Sequence, residues 1–287
     1  MAQIIDGKKL SEKIREEIKT EVKKLARKKI VPGLAVIIVG ENEASKIYVR
    51  NKIASCEQVG IKSFHYHLPE KTSEKKLIAL IQKLNKDKKV HGILVQLPLP
   101  KQIHPDVIIE SIDPKKDVDG LHPFNLGLLA VGKPNFVPCT PAGMMRMLEE
   151  INYDCSGKDA VVIGRSNIVG KPISLLLLAK NATVTMCHSK TKDLFIKLKM
   201  ADIIVAAVGV PKIVDGLCVK EGAVVLDVGI NRSSEGKLVG DVDFESAAKV
   251  AGYITPVPGG VGPMTITMLL WNTLEAAKKQ NEKKRKH

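Results

Sequence analysis

Ser45, Tyr48 and Lys52 stand at i, i+3 and i+7, a spacing that places a hydroxyl, a phenol and an amine on one helical face. Two readings fit such a trio. It is a solvated face, as most polar faces are, or Tyr48 is a stacking surface beside an amine that moves protons. The second reading needs Lys52 to be partly desolvated, because burial lowers an ammonium pKa towards neutrality. A second candidate closes the run Gly92-Ile-Leu-Val-Gln96. Its glutamine follows directly on an apolar strand, at the carboxyl end where parallel sheets place their ligands. A third is Lys116-Asp117-Val118-Asp119-Gly120. Paired acids before a glycine make a turn, or they anchor a ligand with amidine-like N–H groups, since a carboxylate accepts two parallel hydrogen bonds. In Pro258-Gly-Gly-Val-Gly-Pro263 little side chain stands between a ligand and the backbone.

A different chemistry is suggested by Gly164-Arg-Ser-Asn-Ile-Val-Gly170, which follows the apolar run Ala160–Ile163 and precedes a helical pattern. A glycine at a strand end permits a tight turn, and the helix start then aims N–H groups at a pyrophosphate. Ser166 stands where the second glycine of a G-x-G-x-x-G would be, so the pattern taken alone also fits an ordinary strand-to-helix turn. The next strand ends in Cys187-His188-Ser189-Lys190, with no acid. A site for NAD usually carries Asp or Glu there for the ribose hydroxyl. Ser189 can donate to a 2′-phosphate and Arg165 can pair with its charge. NADP is the expected cofactor.

These residues need elements to hold them. Leu10, Ile14, Ile18, Val22 and Leu25 recur at helical spacing within residues 10–29. Leu34–Val39 is a wholly apolar run, as in a buried parallel strand. A helix over 45–59 stopped by Gly60, a strand near 63–67, a helix over 73–85 and a strand over 92–95 follow. Between Pro98 and Pro141 the chain is rich in proline and reads as turns, with the lobe boundary there. A fresh series then begins: strand 160–163, helix 169–180, and strands 182–187, 202–207 and 223–228, closing on a helix over 264–279. Strand and helix alternate, so the fold class is α/β, with a Rossmann-type parallel sheet in the second lobe.

The sequence has 287 residues, enough for more than one packed core. Its start lacks the apolar stretch of a signal peptide, and no run approaches the about 20 apolar residues that span a bilayer. A cytoplasmic protein, without a membrane partner, is expected. Five cysteines are scattered with no Cys-x-x-Cys pair, which argues for buried thiols and against a zinc site. His65 and His67 have no third ligand, so no metal is expected. G-x-S-x-G, H-E-x-x-H and Walker A patterns are missing. The net charge of +14 and the tail Lys278–His287 fit a nucleic-acid-binding protein. Aromatics at 3% supply no row of stacking platforms, however. A surface that attracts anionic small molecules covers the same facts, and nucleic acid is not expected as a partner.

Eight segments together resemble the bifunctional methylenetetrahydrofolate dehydrogenase/methenyltetrahydrofolate cyclohydrolase (FolD) family. They are Ser45–Lys52, Val95–Pro100, Lys116–Gly120, Pro138–Gly143, Gly164–Pro172, Cys187–Thr191, Asp227–Asn231 and Thr255–Thr265, in the family's order over nearly the whole chain. The resemblance implies two three-layer lobes with a folate in the cleft between them. Residues 1–140, completed by the helix 264–287, would be the catalytic domain, and 141–263 the NADP-binding domain. It implies that 5,10-methylenetetrahydrofolate is oxidised with NADP+ to the methenyl form, which water opens to 10-formyltetrahydrofolate. Lys52 would be the proton-transfer residue of hydrolysis, Tyr48 would pack along the folate, Gln96 would orient Lys52, and Asp119 would hold the pterin N–H groups. Gly164, Arg165, Ser166, Ile168, Ser189 and Ile230 fall at cofactor positions. Val95, Leu97, Pro258, Gly259, Gly260, Val261, Gly262, Pro263 and Thr265 join the folate site. The family also implies a homodimer, folates carrying a glutamate tail, and one-carbon metabolism serving purine, methionine and histidine biosynthesis. No functional motif departs from its pattern.

Overall fold

A computed structural model describes residues 1–233 and 235–282; residues 283–287 of the lysine-rich tail lie outside the described residues. The chain opens with a two-residue strand, β1 (Gln3–Ile4), and helix α1 (Gly7–Arg27). Leu10, Ile14, Ile18, Val22 and Leu25 are all buried on the latter, as their spacing requires. β2 (Gly33–Val39) is buried at every position. α2 (Glu43–Val59) starts on Asn42, whose Oδ1 accepts from the Ser45 N–H, and stops at Gly60 in the left-handed region. β3 (Lys62–Leu68), α3 (Glu74–Lys86) and β4 (Gly92–Val95) follow.

The proline-rich stretch is more regular than its composition suggests. It holds α4 (Pro105–Ser111), α5 (Pro123–Ala130) and the start of α6 (Cys139–Glu150). Pro105 and Pro123 occupy first helical positions, where the missing N–H costs nothing and the fixed φ suits the helix. Residues that read as turns are helix openers. Beyond them lie β5 (Asp159–Ile163), α7 (Gly170–Ala179), β6 (Thr183–Cys187), α8 (Leu194–Met200), β7 (Ile203–Ala206) and β8 (Val224–Asp227). The hairpin β9 (Asn231–Arg232) and β10 (Leu238–Val239), the short α9 (Phe244–Ala247), β11 (Tyr253–Ile254) and α10 (Val261–Glu282) complete the chain.

The chain divides into two compact units. The first, Lys13–Cys139 with the chain from Ile266 onward, carries a three-stranded parallel sheet in the order β3-β2-β4. Its core joins Ala35, Ile37, Val39 and Ile93 of the sheet to Leu77, Ile81, Leu84 and Ile108 of α3 and α4. The second unit, Met1–Glu12 with Thr140–Thr265, carries six strands in the order β1-β11-β8-β7-β5-β6, every neighbouring pair parallel. The first twelve residues therefore run with the dinucleotide-type sheet and not with the sequence that follows them, because Gln3 and Ile4 pair with Tyr253 and Ile254. In both sheets a central strand (β2, β5) has its chain successor on one side and a later strand on the other, which makes a topological switch point beside it.

Candidate active site

The stripe Ser45, Val49, Lys52, Cys56 runs along α2. Ser45, Val49 and Cys56 are buried and Lys52 is half-buried, so this is no solvated face. Tyr48 shares the face at 38% exposure. The Lys52 ammonium donates to Gln96 Oε1 at 2.8 Å, and Gln96 Nε2 donates to the Leu97 carbonyl at 2.7 Å. Gln96 extends β4, its N–H bonded to the Ile37 carbonyl of β2, so the switch point of this sheet delivers the amide to the lysine. Burial lowers the Lys52 pKa, while Asp119 and Cys139 nearby pull it back up.

The two acids of Lys116–Gly120 do different work. Asp117 is a brace: its carboxylate accepts from the N–H groups of Gly120, Leu121 and His122 and from Asn125 Nδ2, at 2.8–3.2 Å. This fixes the turn into α5. Lys116 is likewise structural, its buried ammonium donating to the carbonyls of Leu84 and Asp87 at the end of α3. Asp119 faces Lys52 and the Cys139 thiol. Burial raises its pKa, Lys52 opposes the rise, and Asp117 adds to it. Gly120 (φ +76°) lets the chain turn here, since a Cβ would lie 2.6 Å from the Pro138 nitrogen. That close approach brings Cys139 beside Asp119.

Two groups of this cluster escaped the sequence reading. By sequence Cys139 is one more buried thiol. It is buried, its thiol bonds the Val118 carbonyl at 3.4 Å and also Asp119, and its pKa is pushed well up by burial and by Asp119. Asn272 on α10 donates to the carbonyls of Val118 (2.9 Å) and Val137 (3.0 Å). It thus ties together the segments preceding Asp119 and Cys139. Its spacing from them along the chain gives no signal; Cys139 had one, in Pro138–Gly143, with no role attached.

In the second unit Gly164 ends β5 at φ +124°, and a Cβ there would collide with the Ala207 carbonyl. A Cβ at Gly170 would strike the Gly164 carbonyl, so helix and turn need both glycines. Ser166 Oγ accepts from the N–H groups of Val169 (3.1 Å) and Gly170 (3.3 Å), which caps the start of α7. Arg165, Ser166 and Ser189 are exposed. Ile168 and Ile230 are large apolar side chains at 44% and 55% exposure. A dinucleotide suits this set: apolar faces for rings, a cation and a hydroxyl at the ends of β5 and β6, and no acid at the end of β6 to repel a 2′-phosphate. Of the Pro258–Thr265 segment, Pro258 and Gly262 are exposed, Gly260 and Val261 are buried, and Gly259, Pro263 and Thr265 lie between. Thr265 Oγ1 meets Thr140 Oγ1 at 2.9 Å. Among the described residues no three His, Cys, Asp or Glu side chains gather as metal ligands would, and no helix is long and apolar enough to cross a membrane.

The sequence profile of the catalytic domain of tetrahydrofolate dehydrogenase/cyclohydrolase matches residues 5–119, and that of its NAD(P)-binding domain matches residues 138–281. The chain belongs to the tetrahydrofolate dehydrogenase/cyclohydrolase family. Its relatives in this family include the bifunctional protein FolD of Geotalea daltonii, 60% identical over 98% of this chain and 100% of that one. The crystal structure of the bifunctional FolD enzyme of Campylobacter jejuni is 54% identical and superposes with a TM-score of 0.96 over 98% of this chain and 100% of that one. The methylenetetrahydrofolate dehydrogenase-cyclohydrolase of Trypanosoma brucei, solved with NADP cofactor and an inhibitor, is 40% identical with a TM-score of 0.93 over 98% of both chains. For a tetrahydrofolate dehydrogenase/cyclohydrolase, the lysine, acid and thiol of the first unit and the glycine turn of the second are the natural places to look for proton and hydride chemistry.

Proposed function

We propose that this chain oxidises 5,10-methylenetetrahydrofolate with NADP+ and then hydrolyses the methenyl product to 10-formyltetrahydrofolate. The observation that carries the proposal is the Lys52 ammonium held by Gln96 at 2.8 Å beside Asp119. Folate chemistry belongs to the unit holding Lys52, and cofactor binding to the unit holding Gly164.

Bound NADP+ supplies the hydride acceptor. The residues do the rest. Arg165 and Ser189 hold the 2′-phosphate, and Ile168 and Ile230 cover ring faces. Tyr48 stacks along the folate, Asp119 accepts the pterin N–H groups, and Val95 and Leu97 line its path. In the hydrolytic step a water adds to the methenyl carbon and Lys52, in its neutral form, takes the proton that the water loses. The carbinolamine then collapses: the carbon–N5 bond breaks, N5 receives the proton from Lys52, and the carbinol proton leaves to solvent. The lowered pKa of Lys52 suits it to both halves of that exchange. Gln96 keeps the ammonium in place between them.

The enzyme works in the cytoplasm as a homodimer, free of nucleic acid and membrane, in the one-carbon supply of purine, methionine and histidine synthesis. The net charge of +14 favours folates with an anionic glutamate tail. The test is turnover of 5,10-methylenetetrahydrofolate with NADP+ and with NAD+, following methenyl product and reduced cofactor together. Wild type should reduce NADP+ without accumulating methenyl product. Lys52→Met should retain hydride transfer and lose hydrolysis by about 10²–10⁴-fold, so that methenyl product accumulates. Wild type that reduces neither cofactor would end the proposal.

A further inference from the structure

Asp241 is fully buried, with no assigned part in any motif above. Its Oδ2 accepts from the N–H groups of Val208 (2.8 Å) and Gly209 (2.9 Å), and its Oδ1 accepts from Asn231 Nδ2 (2.8 Å). Val208 and Gly209 leave the end of β7; Asn231 closes the segment that leaves β8. One carboxylate therefore fixes two neighbouring strand exits. Its own N–H donates to Asp227 Oδ1 at 2.9 Å, and Asp227 accepts from Gly229 and Val242 as well. The fit depends on missing side chains: a Cβ at Gly229 would collide with Asp241 and one at Gly240 with Asp227. Two successive N–H groups turned onto one anion form a rigid nest.

The place of this brace in the sheet says what it is for. Under the proposed function, Arg165 and Ser189 take the 2′-phosphate at the ends of β5 and β6. A dinucleotide that crosses the Gly164 turn at its pyrophosphate sends its second nucleoside to the other side of β5. On that side stand β7 and then β8, whose exits Asp241 holds, with Val210 and Ile230 exposed upon them. We infer that Asp241 is a positioning residue for the nicotinamide half of the cofactor, acting through the backbone of Val208–Gly209 and through Asn231. The inference rests on the proposed function for its choice of ligand.

Calorimetric titration of the full chain with NADP+ and with adenosine 2′,5′-bisphosphate separates this role from a general structural one. The bisphosphate carries the adenosine end alone. Asp241→Asn keeps the shape but sets an amide N–H against at least one of the donors. It should weaken NADP+ binding about tenfold, the size expected when a charged acceptor is lost, and change bisphosphate binding less than about twofold. Asn231→Ala removes one bond of the three and should show the same split at about threefold, which keeps the inference testable if Asp241→Asn does not fold. Equal losses on both ligands in Asn231→Ala, or none on either, would overturn the inference. Wild type that binds the bisphosphate but gains nothing from the nicotinamide half would overturn it too. Wild type that binds neither would instead sink the NADP assignment.

Discussion

Both sheets place their chemistry at carboxyl ends beside a strand flanked on both sides, yet they equip those ends in opposite ways. At β2 and β4 the polar groups are ionisable side chains set against one another. Lys52, Asp119 and Cys139 sit together, burial pushes each towards its neutral form, the charges of Lys52 and Asp119 push back on one another, and Asp119 adds to the rise at Cys139. At β5, β7 and β8 the buried acids are spent on backbone N–H groups, three on Asp227 and two on Asp241. Proton transfer needs a group that can hold either charge state at small difference in free energy. Hydride transfer needs position above all. One edge gathers ionisable side chains against one another, and the other commits its acids to backbone N–H groups.

The sharpest way to break this comparison is Asp119→Asn. If the first edge works as a coupled set, removing the negative neighbour lowers the Lys52 pKa further, because Asp119 is what raises it. Hydrolysis needs neutral Lys52, so it fails as pH falls below that pKa. The rising limb of kcat/KM for methenyl hydrolysis should therefore move to lower pH, with a loss of about 10–10²-fold from the weakened pterin contact. A limb that stays in place would mean that Lys52 and Asp119 titrate independently. The edge would then be no coupled set.

Asn272→Ala asks whether that set has its own support. The two carbonyls it leaves in place, on Val118 and Val137, flank Asp119 and Cys139. Loss of a buried donor to two carbonyls should destabilise the chain by about 1–3 kcal/mol. The Michaelis constant for folate should rise several-fold, while the dissociation constant for NADP+ holds. Thermal unfolding and calorimetry read the two effects. A loss of NADP+ affinity of the same size would erase the distinction between the edges.

How much of this was legible in the sequence follows from where each partner lies. Gly33–Val39, Gly92–Val95 and Asp159–Ile163 announce themselves, since buried parallel strands are short runs of apolar residues. So does α2, with Asn42 and Gly60 at its ends. α4 and α5 hid behind Pro105 and Pro123, which mark turns and helix starts alike. Lys52, Tyr48 and Gln96 stood out because a helix period and a strand end put them there. The local pattern does not tell Asp117 from Asp119, two residues apart; the family resemblance points to Asp119, and the fold shows why, since Asp117 receives the backbone N–H groups. Cys139, Asn272 and Asp241 draw their meaning from partners distant along the chain: Asn272 and Val118 are 154 residues apart. Local pattern carries no trace of such a pair.

The smallest effect tests the second edge, through Asp227. Burial raises its pKa from the ordinary 3.8 to about 6, against the pull of its three N–H donors. A carboxyl with a raised pKa in the fold takes up a proton more readily folded than unfolded. Its contribution to stability is therefore full below pH 3.8 and is lost as pH rises through about 6. Between pH 7.5 and 5 this should add roughly 1–2 kcal/mol of protection to the amides of β8, read by hydrogen exchange after correction for intrinsic rates. Asp227→Asn, which cannot titrate, should flatten that gain. At neutral pH the same residue is ionised and accepts from the N–H groups of Gly229, Asp241 and Val242, which offset part of the cost of its burial. A gain with rising pH in the wild type would mean that the donors outweigh burial, and the acid would then be a pure brace with no cost to the fold.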